Sequence, residues 1–153
     1  MGLWNWLFGT TANELHVNGP DLSDIVVPIS DDDGIVATKY QLEALERLGC
    51  GKAMPGITFR QAGAILSART YSKFLLDDLL SRTGVRHPKR PQYLAIQANI
   101  IAFIVRDPRA RIAVCAWSDR NFDERKEDPP PRNIHWQQTV AFIGPVIAKL
   151  KTR

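Results

Sequence analysis

At 153 residues the chain is long enough to bury its own core as a single domain, and 44% hydrophobic with 24% charged residues is ordinary for a globular protein. Apolar stretches such as Ile100 to Val105 reach only six residues, which excludes a membrane-spanning helix. The formal net charge of +4 is unevenly spread: residues 1–38 hold six acids and no Lys or Arg, and the other 115 residues hold 20 bases and ten acids.

A basic body beside an acidic segment has two physical readings. Either the segment docks on the body and neutralises part of it, or the body meets a polyanion and the segment a basic partner. The segment 1–37 and the basic body 38–153 are expected to form one domain. Cys50 and Cys115 make no disulfide framework, and no basic run precedes the aromatic N-terminus, so a cytoplasmic setting without a secretory signal is expected.

Residues 2–8 are short and aromatic. As a helix they place Leu3, Trp4, Leu7 and Phe8 on one face. That face suits the protein's own core, a partner's groove or an interface with lipid. The absence of nearby bases argues against lipid, and Trp6 breaks the myristoylation pattern. Leu15 and Val17, then Ile25, Val26, Val27 and Ile29, are strand-like, with the turn signal Asn18-Gly19-Pro20 between them. Asp31, Asp32, Asp33 and Gly34 form a loop that lacks the alternating acids of a calcium site.

Two capping boxes follow, Thr38 with Gln41 and Thr58 with Gln61. In each, the Thr hydroxyl accepts from the amide three residues on and the Gln reaches back to the Thr amide. They predict a first helix over about 39–48, stopped by Gly49, and a second beginning after Thr58. In the second helix the apolar stripe falters over Ser67 to Thr70, which predicts a bend or a restart there. It resumes from Phe74 to Leu80, and Gly84 and Pro88 end it. A wide apolar face over 92–106 predicts a central helix, with Asp107-Pro108 ending it and starting the next element. Helix and strand compete over 111–117, with helix preferred. Charged residues and three prolines over 123–132 predict an extended exposed loop, and Gly144-Pro145 should kink the last helix. The fold class expected is mainly α, with a short β-like N-terminal segment; α+β is the alternative.

The spacing of Thr38, Gln41, Leu45, Leu48-Gly49, Gly56, Thr58, Ala62 and Ile65 or Leu66 resembles a short helical module appended to phage and bacterial DNA-processing proteins. The resemblance covers about a fifth of the chain, and Tyr40 stands where the module usually has Lys. It implies a DNA-processing context and carries over no catalytic residue.

Two basic clusters are candidates for contact with DNA or RNA. Arg82, Arg86, His87, Lys89 and Arg90 lie where a helix ends, close to Tyr93, whose ring can stack. Arg106, Arg109 and Arg111 surround a helix junction. Bases at helix ends also complement the helix dipole, which is the plain structural alternative. A protein partner would instead meet Trp4, Trp6, Phe8, Asp31, Asp32 and Asp33.

His16, His87 and His135 show no ligand spacing, so neither metal nor cofactor is expected. Gly49, Gly51 and Lys52 do not match a phosphate loop, and Asp77-Asp78 read as solvated rather than as an acid–base pair. Cys50, beside Lys52, is the one candidate nucleophile. The sequence therefore points to a non-enzymatic accessory protein contacting nucleic acid. An inhibitor, immunity or adaptor factor is the alternative, and a small cysteine enzyme comes third.

Overall fold

A computed structural model describes residues 27–48 and 56–151. The expectations for Trp4, Trp6, Phe8, Leu15 to Val26 and Cys50 lie outside the described residues. Within them the protein is mainly helical: α1 (Lys39–Arg47), α2 (Phe59–Thr83), α3 (Arg90–Arg106), α4 (Pro108–Glu124) and α5 (Ile134–Lys151). The α2 helix packs against each of the other four, and α3 also packs against α4 and α5.

Both capping boxes form. Thr38 and Gln41 exchange two bonds of 3.1 Å, and Thr58 and Gln61 do the same. Each Gln then spends its amide NH2 on another segment. Gln41 donates to the Phe59 carbonyl at 3.1 Å, tying the start of α1 to the start of α2. Gln61 donates to the Val27 carbonyl, also at 3.1 Å. The Thr58 hydroxyl accepts from Gln61 and donates to the Asp32 carboxylate. An isolated antiparallel bridge, Val36 with Thr58, closes the same corner.

The expected strand does not appear over Val27 to Ile29, which are irregular backbone. Val27 is buried in the helical core, and the carbonyls of Val27 and Pro28 are satisfied by side chains of α2 and α4. Helix side chains thus do the work that a neighbouring strand would do.

The expected bend in α2 is absent as well; the helix is continuous through Ser67 to Thr70. The stripe falters because the buried positions there, Ser67 and Ala68, are small, while Arg69 and Thr70 face outward. The hydroxyls of Thr70 and Ser72 return to the helix's own carbonyls at Leu66 and Arg69. Gly84, at φ 67°, ends α2 in the left-handed conformation that glycine adopts without strain. Residues 111–117 are helical, and Asp107 serves both as C-cap of α3 and N-cap of α4. The α5 helix runs through Pro145.

An aromatic cluster joins three helices. The Tyr71 ring of α2 meets Trp117 of α4 edge-on at 5.6 Å and Trp136 of α5 at 5.8 Å. Burial pushes the Tyr71 phenol up to about 12. The segment after α4 is an exposed loop as expected, apart from one residue. Pro130 is buried, and the Asp128 carbonyl accepts from Trp117 Nε1 at 3.1 Å and Asn121 Nδ2 at 2.9 Å.

Two outcomes follow from the corner at Thr58. Thr58→Ala should cost about 1 kcal/mol in chemical denaturation, and Thr58→Ser should restore most of it. The Thr58 hydroxyl, foremost, holds the Asp32 carboxyl below its ordinary value of 3.8. Its contribution to stability is therefore present above that value and lost as the pH falls through the lowered one. Asp32→Asn should flatten that acid limb in unfolding curves taken across pH.

Candidate anion-binding cleft

The basic residues singled out in the sequence do not gather at one place. Arg82 is committed to Asp78 at 3.1 Å, and the same carboxylate binds Arg132 at 2.9 Å. Asp77 is exposed, as expected, and accepts from the Tyr93 hydroxyl at 2.8 Å, whereas the half-buried Asp78 holds two guanidinium groups.

Arg111 is not a surface base. It is buried, and its guanidinium donates to the Val105 carbonyl at 3.0 Å and the Pro28 carbonyl at 2.9 Å. The first is an orphan carbonyl at the end of α3, so Arg111 closes a helix terminus and clamps the segment before α1. Arg106 and Arg109 remain exposed at the α3–α4 junction and line neither basic cleft.

The first cluster contributes more. Arg86, His87 and Lys89 line an open cleft of about 690 Å³ on the connection between α2 and α3. His87 and Arg90 also line a second cleft of about 420 Å³. There they meet Arg47 from the last turn of α1 and Arg69 and Lys73 from α2. Arg47, Arg69, Lys73 and Arg90 form no ion pair among the described residues. The only carboxylate on the wall is Asp77, which is turned to Tyr93. A concave wall carrying four cations and one acid concentrates positive potential.

An aromatic surface accompanies these charges. The His87 ring stacks on Tyr93 with centroids 5.0 Å apart and planes 14° from parallel. Its Nδ1 lies 3.0 Å from the Pro88 carbonyl, which can only accept, so a bond there requires the Nδ1–H form. Burial, then the bond to Asp77, raises the Tyr93 phenol above its ordinary value, so it stays protonated as the donor.

Sequence reasoning missed Arg47, Arg69 and Lys73. Arg69 and Lys73 are spaced to share one face of α2, a signal that was available. What brings Arg47 and Arg90 to that face is helix packing, which no local pattern carries.

The acids expected at a partner surface are occupied. Asp31 pairs with Arg60 at 3.3 Å, Asp32 binds Thr58 and the Gly34 amide, and Asp33 accepts from the Ile35 amide. Burial, then Asp119, raises the Cys115 thiol, which disfavours the thiolate. No group of His, Cys, Asp and Glu among the described residues could hold a metal ion. No described helix is long and apolar enough to cross a membrane. Comparisons with protein families, with curated proteins and with solved structures find no match to this chain.

The two classes of arginine should separate by mutation. Arg111→Ala strands two carbonyls and opens a cavity, so it should cost about 1–3 kcal/mol in denaturant unfolding. Arg90→Ala, on an exposed and unpaired residue, should stay within about 0.5 kcal/mol of wild type.

Proposed function

We propose that the chain is a non-enzymatic accessory protein, of bacterial or phage type, that contacts nucleic acid. The observation that carries this reading is the convergence of Arg47, Arg69, Lys73 and Arg90 on one cleft without partner carboxylates. Unpaired cations facing one another repel, and a chain of phosphates relieves that repulsion while releasing its own counterions. Arg86 and Lys89 extend the positive surface along the adjoining cleft. The stacked pair His87 and Tyr93 adds a ring face of the kind that bases pack on. The likeness of residues 38–66 to modules of DNA-processing proteins suits the same context, since α1 of that stretch delivers Arg47.

The competing reading, a factor that binds a protein through its acidic segment, is weakened because Asp31 and Asp32 are engaged at the start of α2 and Asp33 accepts from the Ile35 amide of its own loop. Its remaining candidates are Trp4, Trp6 and Phe8.

The deciding experiment is binding to fluorescent single- and double-stranded DNA over a salt series. Affinity should fall linearly in log salt, with a slope of about 0.7–0.9 per phosphate neutralised. Arg69→Ala with Arg90→Ala should weaken binding at least tenfold and make the slope shallower by about 0.7–0.9 for each contact removed. Absence of binding at low salt would refute the reading.

A further inference from the structure

A third cleft, of about 580 Å³, adjoins the basic one and is built differently. Its walls carry Phe74, Trp117 and Phe122 together with Ser118 and Glu127. Its volume falls within the range of about 300–1,000 Å³ typical of small-molecule pockets. Lys73 and Asp77 line both this cleft and the basic one, so the two meet along one face of α2.

The aromatic rings of this cleft are not equivalent. Phe74 and Trp117 pack edge-to-face at 5.7 Å, and Trp117 is only 3% exposed, so both belong largely to the core. Phe122 is 84% exposed and makes no ring contact among the described residues. It stands in the last turn of α4, one helical turn beyond Ser118. An exposed phenyl at the mouth of a cleft offers a flat apolar face that stays hydrated until a planar group covers it. Polar groups wait beside it. The Ser118 hydroxyl and the Glu127 carboxylate line the same cleft and bond to no other described side chain. A nucleobase has this combination of surfaces: a π-face to stack, and amino or ring N–H groups that a hydroxyl or carboxylate accepts.

We infer that the aromatic cleft receives one base of a single-stranded nucleic acid, stacked on Phe122, while the phosphates on either side of that base follow Lys73 into the basic cleft. This rests on the nucleic-acid reading and sharpens it. Lys73 marks the passage between the two clefts, with Arg69 one turn before it on α2. Asp77, the carboxylate at the passage, is held by the Tyr93 hydroxyl. A base stacked inside a duplex cannot enter the cleft without being unpaired, so the arrangement selects single strands or locally opened ones.

The test uses the full chain and two labelled strands of equal length and charge, one of oligodeoxythymidylate and one with an abasic backbone, at fixed salt. Wild type should bind the base-bearing strand at least about fivefold more tightly than the abasic one. Phe122→Ala should reduce that strand to the abasic level while leaving abasic affinity and the salt slope unchanged, and Phe122→Trp should restore the preference. Because Phe122 lies on the surface, its removal leaves the core intact. Equal affinity of wild type for the two strands would overturn the base-binding inference and leave the nucleic-acid reading standing. A loss of affinity for both strands in Phe122→Ala would also overturn it, since the ring would then act on the backbone path. Failure of wild type to bind either strand would overturn the base-binding inference, and failure to bind duplex DNA at low salt as well would overturn both readings. Competition by a free nucleoside monophosphate as effective as the strand would assign the cleft to free nucleotides and overturn the strand's place in it.

Discussion

The α2 helix must satisfy four neighbours at once, and 11 of its 25 residues are buried in doing so. A helix in this position cannot carry a single apolar stripe, because it has no single solvent face. Its sequence is instead divided by length. Its first half uses alanines, Ala62, Ala64 and Ala68, where helices approach closely; its second half uses Leu75, Leu76, Leu79 and Leu80, where there is volume to fill. Tyr71 sits between these halves and touches the tryptophans of both α4 and α5. What polar surface remains on α2 is therefore narrow, and it is there that Arg69, Lys73 and Asp77 stand in line.

The charge asymmetry of the chain resolves unevenly around this helix. Asp31 and Asp32 dock at the N-terminal end of α2, on Arg60 and Thr58, where the helix dipole also favours negative charge. Asp78 draws Arg82 and Arg132 together farther along. Neither set of acids reaches the cleft formed by Arg47, Arg69, Lys73 and Arg90. Part of the basic body is thus neutralised internally, while four bases without ion pairs line one cleft at the junction of α1, α2 and α3.

Arginine position in sequence and arginine role in space diverge in this molecule. Arg106, Arg109 and Arg111 fall within six residues, yet only the last is buried, as the clamp between α3, α4 and Pro28. Arg47 and Arg90 are far apart in the chain and line one cleft. The proline-rich stretch after α4 is the exposed loop its composition predicts, yet within it Pro130 is buried and the Asp128 carbonyl receives two donors from α4. Composition reports the average cost of leaving a segment in water, not the local geometry that lets one carbonyl be captured.

Local sequence sets most of the helix ends. Thr38 with Gln41, Thr58 with Gln61, Gly84 and the pair Asp107-Pro108 act through hydrogen bonds and backbone preferences spanning a few residues, so their signals are complete within the local chain. It also determined the helical class and most of the core, because burial follows periodicity. Tertiary structure alone decided that Val27 to Ile29 would be held by helix side chains rather than by a strand, that α2 would run unbroken past Ser67, and which arginines would be buried. It alone assembled the cleft from α1, α2 and α3. Those outcomes depend on which helix faces meet. That is set by the packing of side chains distant in sequence, a constraint that no window of neighbouring residues contains.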